Sequence, residues 1–214
     1  MTEFGDSFTR ADQIYEKINE LVAMGDMEAA IAQYDEVIRL LPWNAMHFYN
    51  RALLRQKLGD LNLAVFDYTE SIRRNPNYAD SFNNRGLAYA NLGQHDAALA
   101  DYAEAIRQAP NDPKAFHNRG KTLSALGDDE QAIEEYSMAI ALNPEDAHVI
   151  YNRGVSYAHM GKFEEAIQDF TRSLELDAAD ADAFIWRGKL LESMGRIDQA
   201  KADFKAAKRL LQAP

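Results

Sequence analysis

The chain contains no cysteine. It therefore has no disulfide, no thiol nucleophile and no thiolate ligand for a metal ion. No apolar run approaches the roughly 18 residues that a membrane span requires. The first residues carry acids where a secretory signal would carry Lys or Arg, and no apolar segment follows them. Together these absences favour a cytoplasmic location.

Positive charge is also scarce in this sequence. Lys and Arg total 23 against 34 Asp and Glu, which gives a formal net charge of -11. A nucleic-acid-binding domain usually presents a basic stripe to the phosphates, so the sequence predicts no nucleic-acid partner. The apolar fraction of 47% is ordinary for a folded domain and argues against a disordered chain.

Only 11 glycines occur, but six of them recur at intervals of 34 residues. These glycines are Gly25, Gly59, Gly93, Gly127, Gly161 and Gly195. Each is followed by an alanine after five residues and by an aromatic residue after nine. The period predicts one domain of repeats after a tail at residues 1–10. The predicted repeats are 11–44, 45–78, 79–112, 113–146, 147–180 and 181–214.

Each repeat has the pattern of two helices. In the third repeat, Phe82, Gly86 and Tyr89 fall on one face of a first helix, and Ala98 and Tyr102 fall on one face of a second. The recurrent glycine is suited to end the first helix in the left-handed conformation. Aspartates that follow it are predicted to cap the second helix: Asp26, Asp60 and Asp128. Prolines are predicted to stop the second helix in four repeats: Pro42, Pro76, Pro110 and Pro144.

A 34-residue helix–turn–helix unit with these small and aromatic positions resembles the tetratricopeptide repeat. The match in the third repeat is Phe82-Asn83-Asn84-Arg85-Gly86-Leu87-Ala88-Tyr89, then Leu92-Gly93, then Ala98, Tyr102, Ala105 and Pro110, and the resemblance covers residues 11–214. It implies an all-α fold, an α-solenoid coiled into a right-handed superhelix, in which the first helix of each repeat lines a concave groove. It also implies a scaffold or adaptor that binds a protein or peptide partner.

Arginine occupies the seventh position of five repeats, and an acid follows it sixteen residues later. The pairs are Arg51 and Asp67, Arg85 and Asp101, Arg119 and Glu135, Arg153 and Asp169, and Arg187 and Asp203. This recurrence predicts charge-assisted hydrogen bonds that tie first helices to second helices, within a repeat or across a boundary. A role for the arginines in ligand binding is the alternative.

Asparagine occupies the sixth position of four repeats, and we call this row the asparagine ladder. Its members are Asn50, Asn84, Asn118 and Asn152. A carboxamide has two donors and an acceptor, so such a row can pair with the main chain of an extended peptide. The row resembles the asparagine ladder of O-linked N-acetylglucosamine transferases, and the family resemblance implies that this position faces the groove. The alternative is that Asn-Arg-Gly is a helix-packing variant of the repeat.

Other positions that the resemblance turns toward the groove supply the remaining candidate binding residues. They are Tyr49, Leu53, Asn83, Leu87, Lys114, His117, Lys121, His148, Tyr151 and Val155. Repeats four and five hold two of the lysines and, with His159, three histidines. This basic patch predicts an acidic or C-terminal carboxylate partner segment. Scattered solvated charges are the alternative.

Catalysis is not predicted. His117 and His148 have no carboxylate at ligand spacing, and two histidines rarely hold zinc alone, so no metal site is expected. No set of nucleophile, base and orienting group is assembled in the sequence. We therefore expect neither an enzyme nor a cofactor.

Self-assembly into homo-oligomers is the alternative function. It is favoured by apolar residues that we expect to be exposed near the N-terminus: Phe4, Phe8, Ile14 and Ile18. Head-to-tail stacking is disfavoured because Lys201 and Lys208 replace the apolar stacking residues of the earlier repeats. These lysines predict that the last helix caps the repeats.

Overall fold

The computed structural model describes the backbone of residues 3–212 and the side chains of residues 10–212. This part of the chain consists of twelve α-helices without a strand, which confirms the all-α prediction. Six helices lie in one compact unit, Met1–Ala109: α1 (Glu3–Met24), α2 (Met27–Leu40), α3 (Ala45–Lys57), α4 (Leu61–Arg74), α5 (Ala79–Asn91) and α6 (His95–Gln108). Six lie in a second, Pro110–Pro214: α7 (Pro113–Ala125), α8 (Asp129–Leu142), α9 (Ala147–His159), α10 (Phe163–Leu176), α11 (Ala181–Ser193) and α12 (Ile197–Leu211).

In the first unit, consecutive helices pack side by side, α1 on α2, α3 on α4 and α5 on α6. Helix α1 begins at Glu3, so residues 3–10 are helical. Ile14 and Ile18 are only 9% and 2% exposed, because they pack against Tyr34 and Val37 of α2 in a core cluster. The expectation that these two isoleucines form an exposed face is therefore wrong. The side chains of Phe4 and Phe8 lie outside the described residues.

In the second unit, α7 packs on α8, α9 on α10 and α11 on α12, and the first helix α9 also contacts both α7 and α11. Close approach of the two helices of a repeat depends on glycine. A Cβ atom added to Gly120 would lie 2.8 Å from Cε1 of Tyr136, and one added to Gly188 would lie 2.7 Å from Cε1 of Phe204. Bulk at these positions would push the paired helices apart. The small and aromatic positions of the repeat therefore set the distance within each helix pair.

The helix ends follow the sequence signals with one exception. All six recurrent glycines have φ between +73° and +85°, the left-handed region that ends a first helix. Asp26 accepts a hydrogen bond from the Ala29 amide at 3.1 Å, and Asp128 accepts one from the Gln131 amide at 3.3 Å. Asp60 makes no side-chain cap bond, so the capping prediction is wrong there. No helix in the described part of the chain is long and apolar enough to cross a membrane.

The predicted arginine–acid pairs all form, which confirms their structural role. They are Arg51–Asp67, Arg85–Asp101, Arg119–Glu135, Arg153–Asp169 and Arg187–Asp203. In the Arg153 pair, Nε and Nη2 donate to the two carboxylate oxygens of Asp169 at 2.8 Å each. The third nitrogen, Nη1, donates to Ser137 of the preceding repeat at 3.1 Å. One guanidinium thus joins a first helix to the second helices of two successive repeats.

Candidate functional site

The asparagine ladder makes hydrogen bonds within the protein. Nδ2 of Asn84 donates to the hydroxyl of Tyr49 at 2.9 Å, and Nδ2 of Asn152 donates to Nε2 of His117 at 3.0 Å. Both partners occupy the fifth position of the preceding repeat. These bonds give the ladder a part in joining neighbouring first helices.

The other two ladder residues lie in equivalent places on their helices. Asn50, on α3, hydrogen-bonds the side chain of Tyr34. Asn118 is half-buried on α7. A carboxamide that donates one hydrogen bond still has a second N–H and a carbonyl oxygen. The ladder chemistry therefore allows both a packing role and the predicted contact with a peptide main chain.

The candidate groove residues of the first unit are mostly packed against protein. Tyr49 and Leu53 pack against a core cluster that contains Tyr68. Asn83 is buried, and Leu87 is half-buried on α5. These four side chains therefore contribute to packing within the first unit.

The second unit contains an open pocket of about 640 Å³, lined by side chains of α7 and α9 and by the start of α11. Five residues that the sequence placed in the groove line it together: His117, Lys121, His148, Tyr151 and Asn152. Lys114 and Val155 do not line it. Lys114 is exposed with its Nζ 3.8 Å from Asp112, and Val155 packs against a core cluster with Phe170.

Three aspartates that the sequence analysis did not single out also line this pocket: Asp177, Asp180 and Asp182. Asp180 caps α11 by accepting a hydrogen bond from the Ala183 amide at 3.0 Å. Asp182 occupies the second position of its repeat, the position that supplies Lys114 and His148 in the two preceding repeats. Its place at this recurrent groove-facing position is the sequence signal that identifies it. The pocket is therefore not uniformly basic.

His159 belongs to a different polar cluster. Its Nδ1 lies 3.0 Å from Oδ2 of the buried Asp129, whose other oxygen accepts a hydrogen bond from Ser124 at 2.8 Å. Its ring meets Trp186 edge to face, with the ring centroids 6.1 Å apart. His159 does not line the pocket, so its inclusion in the predicted basic patch was wrong. The cluster links the ends of α7 and α9 to the start of α8.

Burial and nearby charge set the protonation of the pocket's polar groups. Burial lowers the pKa of His117, and Lys121 lowers it further, while Asp146 opposes the shift. The lowered pKa favours the neutral form of His117 at pH 7, and the bond from Asn152 requires the tautomer with its proton on Nδ1, in which Nε2 accepts. Burial raises the pKa of Tyr151, and the adjacent Asp182 raises it further, so this hydroxyl stays protonated and can donate.

A second pocket in this unit, of about 370 Å³, is lined by Ile167 of α10 and by charged residues of α11 and α12. Its charges are already paired. Arg187 bonds Asp203 at 2.8 Å, and Arg196 bonds Glu164 at 2.6 Å. The larger pocket therefore offers a ligand more uncommitted polar groups. Among the described side chains, no group of three or more His, Asp or Glu residues is placed to hold a metal ion.

In the described part of the chain, six helix pairs are each joined by a glycine turn, and five of them are tied together by the recurrent arginine–acid pair. Such helix pairs define an α-helical repeat protein. Models of the tetratricopeptide repeat match most of the chain. Models described as "Tetratricopeptide repeat" match residues 48–78, 79–112, 102–134, 147–179 and 181–210, and one described as "TPR repeat" matches residues 120–161. The chain therefore contains tetratricopeptide repeats. The predicted first repeat, 11–44, lies outside the matched residues.

Solved structures have the same fold. PilF of Pseudomonas aeruginosa is 18% identical with a TM-score of 0.82, over 98% of this chain and 95% of that one. A tetratricopeptide repeat protein from Parabacteroides merdae is 21% identical with a TM-score of 0.79, over 95% and 80%. YrrB, described as a TPR protein with an unusual peptide-binding site, is 21% identical with a TM-score of 0.68, over 83% and 91%. No curated protein matches the sequence.

The repeat and its fold are typical of non-enzymatic scaffolds for protein–protein interaction, and no catalytic family is indicated. Repeat proteins of this class bind partners on extended surfaces that their stacked units create. At these identities, the structural likeness establishes the fold alone.

Proposed function

We propose that this protein is an interaction scaffold that binds an extended peptide segment of a partner protein. The site we propose is the pocket on α7, α9 and α11, with Asn152 of the asparagine ladder contacting the peptide main chain. The observation that supports this best is the convergence of Asn152, Tyr151 and His117 with Lys121 and His148 in one open pocket. YrrB, a neighbour in fold, is itself described as having a peptide-binding site.

The chemistry of the pocket suits a peptide main chain. The Asn152 carboxamide has a carbonyl oxygen and a second N–H beyond the one bonded to His117. The Tyr151 hydroxyl supplies a further donor. Each such hydrogen bond contributes only about 1 kcal/mol net, so side-chain contacts must provide the rest of the affinity.

The test begins with selection of 12-residue peptides from a random phage-displayed library on the immobilised protein. Fluorescein-labelled copies of the enriched peptides are then titrated by fluorescence anisotropy against the wild type, Asn152→Ala and Asn111→Ala. Asn111 is an exposed asparagine in the turn before α7 and serves as the matched control. We expect Asn152→Ala to weaken binding about tenfold, the effect of losing roughly 1.4 kcal/mol. Equal affinity for all three proteins, each folded by circular dichroism, would place the binding surface elsewhere.

A further inference from the structure

The pocket on α7, α9 and α11 presents opposite charges on its two sides. Lys121 and His148 stand on α7 and α9, whereas Asp180 and Asp182 stand at the start of α11. We propose that the partner segment carries an acidic residue that meets Lys121 and His148 and a basic residue that meets Asp180 and Asp182. This inference rests on the proposed function, and it specifies the charge pattern of the peptide.

The acidic side of the pocket is built into a helix end. Asp180 is the N-cap of α11, and Asp182 lies in the first turn of that helix. The N-terminus of a helix carries a partial positive charge, which favours carboxylates at these two positions. Both also raise the pKa of Tyr151, which shows that they stand close to its hydroxyl. A basic side chain of the peptide would therefore meet two carboxylates beside a hydroxyl.

The cationic side depends on Lys121. Lys121 and His148 both lie close enough to His117 to lower its pKa, and His117 itself stays neutral. Within the described residues, neither Lys121 nor Asp182 forms an ion pair, in contrast to the paired charges of the smaller pocket. Unpaired opposite charges on facing sides of one open pocket complement a segment that carries both signs.

This charge distribution changes the prediction of an acidic partner. Three aspartates line the pocket: Asp177, Asp180 and Asp182. A uniformly acidic peptide would be repelled by them as it approached Lys121. A peptide with one acidic and one basic residue reduces that repulsion. Its basic residue faces the aspartates, which outnumber the lysine in the pocket lining.

Helix spacing sets the separation of the two peptide charges. Packed helices lie about 8–10 Å apart, and an extended peptide rises about 3.3 Å per residue. His148 is one first helix away from α11, and Lys121 is two first helices away. The acidic and basic residues of the peptide should therefore be about three to six positions apart.

The experiment uses the phage-selected 12-residue peptides and charge-reversed proteins. The pocket variants are Lys121→Glu and Asp182→Lys. The controls are Lys205→Glu on α12 and Glu192→Lys on α11, both exposed and outside the pocket lining. We expect enriched peptides to pair an acid with a base three to six positions apart. Each pocket variant should weaken binding about tenfold, and reversing the matching charge on the peptide should restore it. The controls should bind as the wild type does.

The outcomes separate this inference from the proposed function. In one outcome, the peptides lose affinity for Asn152→Ala but bind Lys121→Glu and Asp182→Lys as tightly as they bind the wild type. That result would support the proposed site and overturn the proposed charge pattern of the peptide. Peptides that bind Asn152→Ala and both pocket variants as tightly as wild type would overturn both proposals. In a third outcome, the pocket variants bind more weakly and charge-reversed peptides do not restore the affinity. That result would also overturn the charge pattern, because a direct ion pair predicts recovery.

Discussion

Five repeats carry an arginine at the seventh position, and its guanidinium is a rigid fork of donors. In four of these five repeats the paired acid is aspartate. In those pairs, Nε and Nη2 each find a carboxylate oxygen, as Arg85 does with Asp101 at 2.8 Å for both bonds. Arg119 is paired with the longer Glu135 instead. It makes a single bond, from Nη2 to Oε1, at 2.6 Å. Nε of Arg119 and Oε2 of Glu135 are buried without a hydrogen-bond partner in the described structure.

Replacing Glu135 by aspartate should therefore stabilise the protein. The shorter side chain would reproduce the two-bond geometry of the other four pairs and satisfy both unpartnered atoms. We expect a gain of about 1 kcal/mol in the free energy of unfolding, the usual net contribution of a hydrogen bond. Urea denaturation followed by circular dichroism measures it. Glu134→Asp, at an exposed position of the same helix, corrects for the lower helix propensity of aspartate. A Glu135→Asp variant no more stable than Glu134→Asp would contradict the prediction.

Residue contacts were predictable where a spacing recurred. The sixteen-residue interval between Arg153 and Asp169 repeats through the chain, and the bonds form as expected. The bond between Asn152 and His117 could not be predicted in the same way. It joins neighbouring repeats, and its partner type changes from tyrosine to histidine along the chain. The neutrality of His117 also depends on burial, which no sequence pattern reports.

At the scale of the helix, the turn glycines determine where the first helices end more consistently than the capping aspartates determine where the second helices begin. Gly127 has φ +84°, and the amide of Asp128 bonds back to the Leu123 carbonyl at 2.9 Å. This closes the last turn of α7 and starts α8 two residues later. Nothing lies within 4 Å of a Cβ built on Gly127, so the requirement for glycine there is one of backbone conformation alone.

Gly127→Ala should therefore destabilise the protein without any steric clash. The left-handed conformation costs a residue with a Cβ about 1–2 kcal/mol, and we expect a loss of that size in the free energy of unfolding. Gly127→Asn is the matched comparison, because asparagine tolerates this conformation better, and it should lose less. Urea denaturation of the three proteins gives the order. Equal stability of the alanine and wild-type proteins would show that α7 can end another way.

Helix boundaries were predictable from the sequence because glycine and proline act on the local backbone. The burial of side chains on the first helix was not predictable in this way. Ile14 and Ile18 were expected to belong to an exposed apolar face near the N-terminus. Their side chains instead turn toward α2 and pack on Tyr34. Which face of an amphipathic helix meets a neighbour depends on its rotation, and the sequence of one helix leaves that open. The acidic side of the pocket was not predicted, because Asp182 belongs to the sixth repeat and the candidate groove residues came from repeats two to five.

At the scale of the whole molecule, the chain combines a net charge of -11 with a row of exposed lysines on one helix. Lys201, Lys205 and Lys208 are exposed on α12. The equivalents of Lys201 in earlier repeats include Ile133 and Ile167, which are half-buried. Solvated charge on this helix therefore replaces the apolar residues on which the helices of other repeats pack.

Restoring apolar residues on α12 should make the protein self-associate. Lys201→Ile together with Lys208→Ile would create a contiguous exposed apolar patch, and such patches drive association in water. We expect a mass that rises with protein concentration in size-exclusion chromatography with light scattering. Lys201→Gln with Lys208→Gln removes the same charge without adding apolar surface, and it should keep the wild-type mass. This control also tests the self-assembly alternative, because association of the glutamine variant would mean that lysine charge alone keeps the copies apart. An isoleucine variant that stays as monodisperse as wild type would show that the lysines do not protect this helix from association.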